Sequence, residues 1–482
     1  MPFRFACRRL FRRSAIATCG RQHLPSILLF LAALFSILHI ILATSKSTSS
    51  KDTSPSFLLP SNTNRRWTTF LRGGDIETAA TSRDDKDPSS HNSGLSTAEY
   101  RTVQVQIIHR HGDRTPITPL KDESYWASTL VPPEMLEKIS KGTNVLHHES
   151  TGNQHVAQGR GPFGKLTKMG LLQMIDVGSQ LKEQLEQGTV WSPKARISFQ
   201  PFQLSPRDIK IYSTDFARTI QSVQGLLVGF FPDGPSEPID IDCRHTTSWM
   251  IPDPQPRRSK EQESLELELA TRPHVLEREA EMRPLAIRCT QSLLPLLGDD
   301  AFKVSYGVGE ETNNGSNSMR TLSWAQLSEM TKCLQVRNLL PESITVEDQE
   351  ATSAYCAWKW FESLRNPRLA YLSMHHFTHT IVQGMKEFEN EPPLIIFSCH
   401  DSSLIGLLCA FHLEQPSAWP EYGSVLKIEL LEKTGHKDDD LVVRFYLNGE
   451  LLRSMWHGRS RDEISLRKLA HYISTVGAVK AS

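Results

Sequence analysis

The sequence predicts an α/β fold, a mainly parallel central sheet flanked by helices, with an inserted, mostly helical lobe. Three observations carry that expectation. Short apolar runs at Val103–Ile108, Asp208–Tyr212 and Pro393–Ser398 are strand-like, and helical patterns lie downstream of each. Such strand–loop–helix units build open parallel sheets whose ligands sit at the strands' carboxyl ends. Between about residues 232 and 388 the pattern turns to amphipathic stretches, SKEQESLELELATR and LSWAQLSEMTKCLQVRNL among them, which read as the lobe. Finally, Ser424–Leu431 and Leu441–Leu447 alternate as a hairpin that extends the sheet, and Asn448-Gly449 predicts a further turn.

The chain has 482 residues, with 54 basic and 54 acidic side chains. It is long enough for a large core, and the balanced charge excludes a broad nucleic-acid footprint. Any anion site must therefore be a local cluster. A Gly-rich nucleotide-phosphate loop is absent, which excludes an ATP site of that type.

The N-terminal region is expected to lie outside the fold. Residues 1–23 form a basic tail with Arg4, Arg8, Arg9, Arg12, Arg13 and Arg21, and no acid precedes Asp52. Residues 24–43 are apolar for long enough to span a bilayer. Basic residues ahead of the span predict a signal anchor with a cytosolic N-terminus and a lumenal remainder, in the ER, Golgi or secretory pathway. A cleaved signal peptide and a mitochondrial membrane anchor are the competing readings. Residues 44–98, rich in Ser, Thr, Asp and Pro, read as a disordered stem, and 99–482 as the folded domain. Six cysteines follow the span, an even number that permits disulfides. Asn314-Gly315-Ser316 is a glycosylation sequon.

The first strand runs into Arg110-His111-Gly112-Asp113-Arg114-Thr115-Pro116. Gly112 is expected to allow a sharp turn, and Pro116 to delay any helix. Two guanidiniums beside one imidazole suit a phosphate dianion, which each arginine can grip through paired donors. That field also resists protonation of His111, leaving it a neutral nucleophile. Residues 119–161 read as an irregular stretch lining a pocket mouth, with His147-His148 a polar loop feature. Gly164–Gly170 then leads into a helix capped by Thr167.

After the second strand, Ser213-Thr214-Asp215 reads as a helix N-cap and places Arg218 in the first turn. An arginine there is electrostatically misplaced unless an anion compensates it, so Arg218 is a third phosphate contact. His375, His376 and His379 lack the glutamate of the zinc-protease pattern, and no metal is expected. The third strand ends at Cys399-His400-Asp401. His400 can donate to a phosphate oxygen. Asp401, its pKa raised by that phosphate, can protonate a leaving alkoxide.

The opening motif has the form Arg-His-Gly-x-Arg-x-Pro. With Gly-x-Leu-Thr-x-x-Gly, Ser-Thr-Asp-x-x-Arg-Thr and the late His-Asp pair, it resembles the histidine acid phosphatase family over roughly Tyr100 to Leu452. The resemblance implies a phosphohistidine on His111, a clamp of Arg110, Arg114, Arg218 and His400, Asp401 as general acid, and no cofactor. Ser402-Ser403 depart from the Thr or Val more usual after the His-Asp, which bears on leaving-group preference. The implied partner is a small phosphomonoester. GKLTKMGLLQM and the Trp126 to Pro133 segment look most like the lysophosphatidic acid phosphatase type. The anchor and stem look more like a phosphoxylose phosphatase, and inositol phosphate hydrolysis is a third option. From other classes, a catalytically silent anchored binding protein and a mutase-type transferase share parts of the pattern. Both His111 and Asp401 are present, and the anchor and lobe are foreign to the mutases. Oligomeric state, organelle and substrate are open at this level.

Overall fold

The computed structural model describes residues 100–147, 160–187, 197–198, 204–244, 250–252, 259–298, 321–416, 418–433, 441–455 and 462–476. The anchor, the stem, His148 and the Asn314 sequon lie outside these residues. Among the described residues no helix is long and apolar enough to cross a membrane.

In chain order the elements are β1 (Tyr100–Arg110), α1 (Glu123–Ser128), α2 (Pro133–Ser140), β2 (Thr143–His147), α3 (Lys168–Gln187), β3 (Ile197–Ser198), β4 (Ile209–Thr214), α4 (Ala217–Phe230) and β5 (Ile239–Arg244). Then come α5 (Lys260–Ala270), α6 (Pro273–Leu293), α7 (Trp324–Gln335), α8 (Val346–Leu364), α9 (Pro367–Lys386), β6 (Leu394–Cys399) and α10 (Asp401–Ala410). The last are β7 (Val425–Lys433), β8 (Val442–Leu447), β9 (Glu450–Leu452), β10 (Ile464–Ser465) and α11 (Leu466–Thr475).

The sheet order is β10-β8-β7-β1-β6-β4-β5-β2. From β1 through β6, β4 and β5 to β2 all neighbours are parallel, while β7, β8 and β10 continue the sheet antiparallel. This is the predicted α/β class with its mainly parallel sheet. Asn448 and Gly449 take φ of 51° and 89°, the left-handed turn that Asn-Gly favours.

Two differences concern element boundaries. The stretch 119–161, read as irregular, contains α1, α2 and strand β2. Pro133 supplies the first helical position of α2, where its missing N–H costs nothing. The stretch read as the start of the helical lobe contributes β5 to the sheet, paired with β4. Its sequence, Ile-Asp-Ile-Asp-Cys-Arg, alternates with period two, so Ile239, Ile241 and Cys243 all point into one core.

Helices α3 and α4 cover one face of the sheet, packing Met174, Val177, Val223 and Leu226 on Val105, Ile107, Ile211 and Ile396. On the other face α9, α10 and α11 pack Phe377, Ile381, Leu404 and Leu469 on Ile395, Phe397 and Ile428. Each such side chain contributes about 1.5–3 kcal/mol when fully buried. β1 is covered on both sides, yet carries Gln104 and Gln106. Their Nε2 groups are satisfied: Gln106 Nε2 donates to Ile381 O at 3.0 Å and Gln104 Nε2 to Gly384 O at 3.1 Å, pinning α9 to the central strand. Helices α6, α7 and α8 form their own core with Trp126 and Phe163.

All six described cysteines are free and buried, so the disulfides that their even number allowed are not formed.

Candidate active site

Parallel β1, β6 and β4 end at one edge, and each ends in a residue singled out above. β1 delivers Arg110 and His111, β6 delivers His400 and Asp401, and the turn after β4 delivers Arg218. Backbone bonds lock the edge: Arg110 N–H donates to Ser424 O at 2.9 Å, and His111 N–H to Cys399 O at 3.1 Å.

Gly112 is required for a reason other than the expected turn. Its φ lies outside the left-handed region; instead a Cβ there would meet Gly170 O at 2.3 Å. A Cβ on Gly170 would in turn meet Asp113 O at 2.1 Å. The loop after β1 thus lies backbone-to-backbone on the first turn of α3. Thr167 caps that turn, accepting from Gly170 N–H at 3.1 Å, and donates to Asp113 Oδ2 at 2.6 Å. Gly170→Ala is expected to cost about 2–3 kcal/mol and to lower turnover by displacing the loop. Calorimetric melting together with a phosphatase assay checks both, and an unchanged melting temperature would refute the contact.

The site is almost closed to solvent. Arg110, Arg114 and Arg218 are each 5 % exposed, His111 2 % and His400 6 %. The Asp401 side chain, at 20 %, is the more open edge. His111 Nδ1 donates to Gly112 O at 2.8 Å, which selects the neutral tautomer with its lone pair on Nε2. Burial holds its pKa well below the usual 6.5, and Arg218, Arg110, His400 and Arg114 push it the same way.

Arg110 spends Nη1 on Pro420 O at 2.5 Å and Nη2 on Asp401 Oδ2 at 2.7 Å, and it stacks on the Tyr422 ring at 4.0 Å. Arg114 spends Nη1 on Thr115 O at 3.0 Å and Glu329 Oε2 at 2.7 Å. The Nε–H of each has no acceptor among the described residues, although both atoms are buried. Arg218 packs over Phe216 at 4.4 Å and donates from Nη1 to Gly164 O at 3.4 Å. The Ser213–Asp215 cluster does not cap α4 as expected. Phe216 is the N-cap residue, without a side-chain cap bond, because the hydroxyls face inward: Thr214 Oγ1 donates to Thr219 Oγ1 at 2.9 Å.

Thr214 Oγ1 also shares a 2.9 Å bond with His400 Nε2, which leaves Nδ1 facing Arg218 Nη2 at 3.5 Å. Burial, then Arg218, lower the His400 pKa well below 6.5. Asp401 accepts from Trp419 Nε1 at 2.8 Å as well as from Arg110. Burial pushes its carboxyl up, but Arg110, Trp419 and Arg114 together bring it down to about 2. The raised pKa expected of Asp401 belongs to the phosphate-bound state; without phosphate the carboxyl lies low. The cation that a phosphate would occupy is here paired with the carboxylate itself.

Sequence reasoning missed Trp419, Tyr422, Thr214, Glu329 and Arg337. The first two had a usable signal. β7 runs antiparallel to β1 with Val425 beside His109, so whatever precedes β7 must reach the active edge. Glu329 and Arg337 follow from no local pattern. Of the loop histidines, His147 ends β2 and lies 3.3 Å from Asp215. His375 stacks on Tyr371, and no metal-binding cluster occurs among the described residues. Two surface hollows, one against β4 and β5 and one lined by His412 and Met455, lie away from these groups.

The family model for the histidine phosphatase superfamily, branch 2, matches residues 103–272. Counting factor 60 of Dictyostelium discoideum is 25% identical over 384 residues, which cover 74% of this chain and 82% of that protein. Lysophosphatidic acid phosphatase type 6 of Bos taurus is 23% identical over 362 residues, covering 72% and 77% respectively. Among solved structures, the phytase from Citrobacter braakii superposes with a TM-score of 0.51 at 14% identity, covering 78% of this chain and 98% of its own. That last likeness concerns the fold alone.

Proposed function

Because this chain belongs to branch 2 of the histidine phosphatase superfamily and is a phosphoric monoester hydrolase, we propose that it acts through a phosphohistidine on His111. The observation that carries the reading is the pair of buried Nε–H donors on Arg110 and Arg114 that have no acceptor among the described residues, flanking a neutral histidine. An unmet buried donor costs about 1–3 kcal/mol, which a phosphate oxygen would restore. In the first step His111 Nε2 forms a bond to phosphorus as the bond to the leaving oxygen breaks. Asp401 gives its proton to that oxygen. Water then attacks phosphorus, its proton passing to Asp401, and the P–N bond breaks to release phosphate. Arg110, Arg114, Arg218 and His400 surround the phosphoryl oxygens and offset the charge that develops.

The substrate we favour is lysophosphatidate. This is supported by the relative named for that activity and by the two stretches that resemble that type. These stretches are joined in the fold, where Lys168 N–H donates to Thr129 O at 3.0 Å. The proposal includes membrane attachment through residues 24–43, with the catalytic domain on the lumenal side. The deciding experiment is hydrolysis by the full chain in detergent, with EDTA, of p-nitrophenyl phosphate, lysophosphatidate, a phosphorylated xyloside and inositol hexakisphosphate. Turnover of all but the last, fastest on lysophosphatidate, is the expected result. Faster turnover of the xyloside or the inositol phosphate would replace the substrate assignment. Silence on all four from folded protein would replace the enzymatic reading by an anchored binding protein.

A further inference from the structure

Helix α7 belongs to the lobe, yet its polar side chains meet the catalytic loop at successive points. Glu329 accepts from Arg114 Nη1 at 2.7 Å, from Thr118 N–H at 2.9 Å and from Ile117 N–H at 3.1 Å. Cys333 Sγ lies 3.6 Å from Arg114 O and 3.5 Å from Tyr422 Oη. Arg337, just past the helix, pairs with Asp113 Oδ2 at 2.6 Å and donates to Cys333 O at 3.0 Å. Glu329 is the member of this face that bonds to the guanidinium of Arg114, a residue of the proposed phosphate clamp.

The planar guanidinium explains why that contact matters. It presents two edges for paired bonding, one through Nη1 and Nη2, the other through Nε and Nη2. Glu329 and Thr115 O occupy Nη1, so the first edge is spent. The remaining edge includes the Nε–H that has no acceptor among the described residues. With Nη1 anchored, the direction of the Nε edge is set by a lobe residue more than two hundred positions downstream. The two backbone bonds to Ile117 and Thr118 hold the loop that carries Arg114 against the same carboxylate. The pair is largely shielded, with side chains 6 % and 15 % exposed.

We propose that Glu329 is a positioning residue for phosphate capture: its carboxylate, carried by the lobe, aims the free edge of Arg114 at the phosphoryl oxygens beside His111. The inference rests on the clamp reading above and extends it to a residue outside every motif. Glu329 can act on a bound phosphate in two opposing ways. As a nearby negative charge it repels the anion. As an anchor it spares Arg114 the entropy of finding its geometry. The proposal states that the anchor dominates, so loss of the carboxylate weakens phosphate binding although it removes a repulsive charge.

The test is a double-mutant cycle on inorganic phosphate binding, read by calorimetry in the full chain. Glu329→Gln, isosteric and still able to accept one bond, is the primary variant, and Glu329→Ala the second. Phosphate affinity is expected to fall about 10-fold in Glu329→Gln, with a matching rise in KM and a smaller change in kcat on p-nitrophenyl phosphate. In an Arg114→Ala background the same change is expected to cost less than about 2-fold. Affinity that is unchanged or tighter in Glu329→Gln overturns the proposal. So does an equal loss with and without Arg114, which would make Glu329 merely structural. Should Glu329→Ala fail to fold, the Gln variant decides alone. Binding of unreacting phosphate is read separately from turnover, so a failed nucleophile assignment at His111 leaves the cycle interpretable.

Discussion

Replacing His111 by alanine is expected to reduce turnover of any phosphomonoester by about 10⁴-fold or more, since it removes the proposed nucleophile. The fold should survive. His111 donates one side-chain bond, to the adjacent Gly112 carbonyl, and the loop is held independently by Gly170, Thr167 and Arg337. A melting-temperature loss of only a few degrees is expected. Inorganic phosphate should still bind, because the arginine donors remain. The direct check is acid-stable or acid-labile phosphate trapped on the protein after a rapid quench. Wild type should carry an acid-labile, base-stable adduct of the kind phosphohistidine forms, and the variant none. A variant that still turns over at the wild-type rate, or still traps phosphate, would remove His111 from the mechanism. The pH sign follows from the burial of the ring. Because the His111 pKa is displaced downward, the nucleophile stays neutral as pH falls through 6.5, and kcat/KM should not show an acid limb there from this residue.

Asp401→Asn should separate substrates by their leaving groups. Alkyl phosphates need a proton at the leaving oxygen and are expected to slow by about 10²–10⁴-fold. p-Nitrophenyl phosphate, whose anion leaves unaided, should slow by less than about 10-fold. Equal losses on both would refute the general-acid role. The structure adds a second expectation. In the unliganded state the carboxyl is held at about 2 by Arg110, so it is ionised throughout pH 4 to 8 and cannot donate. A phosphate that takes Arg110 removes that stabilisation and adds a negative charge beside Asp401, so binding should carry proton uptake. Wild-type kcat on alkyl esters should therefore fall as pH rises through the displaced pKa of the complex, and Asp401→Asn should lose that limb. Proton uptake can be read by calorimetry in two buffers of different ionisation heat. Asparagine also frees Arg110 from its carboxylate, so phosphate affinity should rise in the variant.

The legible part of this protein follows from local chemistry. The buried runs at 103–108, 208–212 and 393–398 were readable as strands because their apolar content has no other use. His111, Arg114, Arg218 and Asp401 stood out because each is a charged or titratable group that follows the end of such a run. The hairpin turn at Asn448-Gly449 was readable because few residue pairs adopt its positive φ values so easily. β5 was not read as a strand because its aspartates and the surrounding prolines masked a six-residue alternation. The cap at Ser213–Asp215 was misassigned because a hydroxyl cluster reads the same whether it faces the helix end or, as Thr214 does, a histidine 186 positions away.

By itself, then, the sequence determined the fold class, the strands that meet at one sheet edge and the charged and titratable groups they bring there, because each is written in a short stretch of neighbouring residues. The tertiary structure alone decided how those groups are held. It paired Asp401 with Arg110 and Trp419, set Tyr422 under the guanidinium, brought Glu329 and Arg337 from the lobe to the catalytic loop, and laid Gly112 on Gly170. Those contacts join residues far apart in the chain. No local pattern encodes them, since a carboxylate on a helix is equally suited to water and to an arginine until packing selects its neighbour.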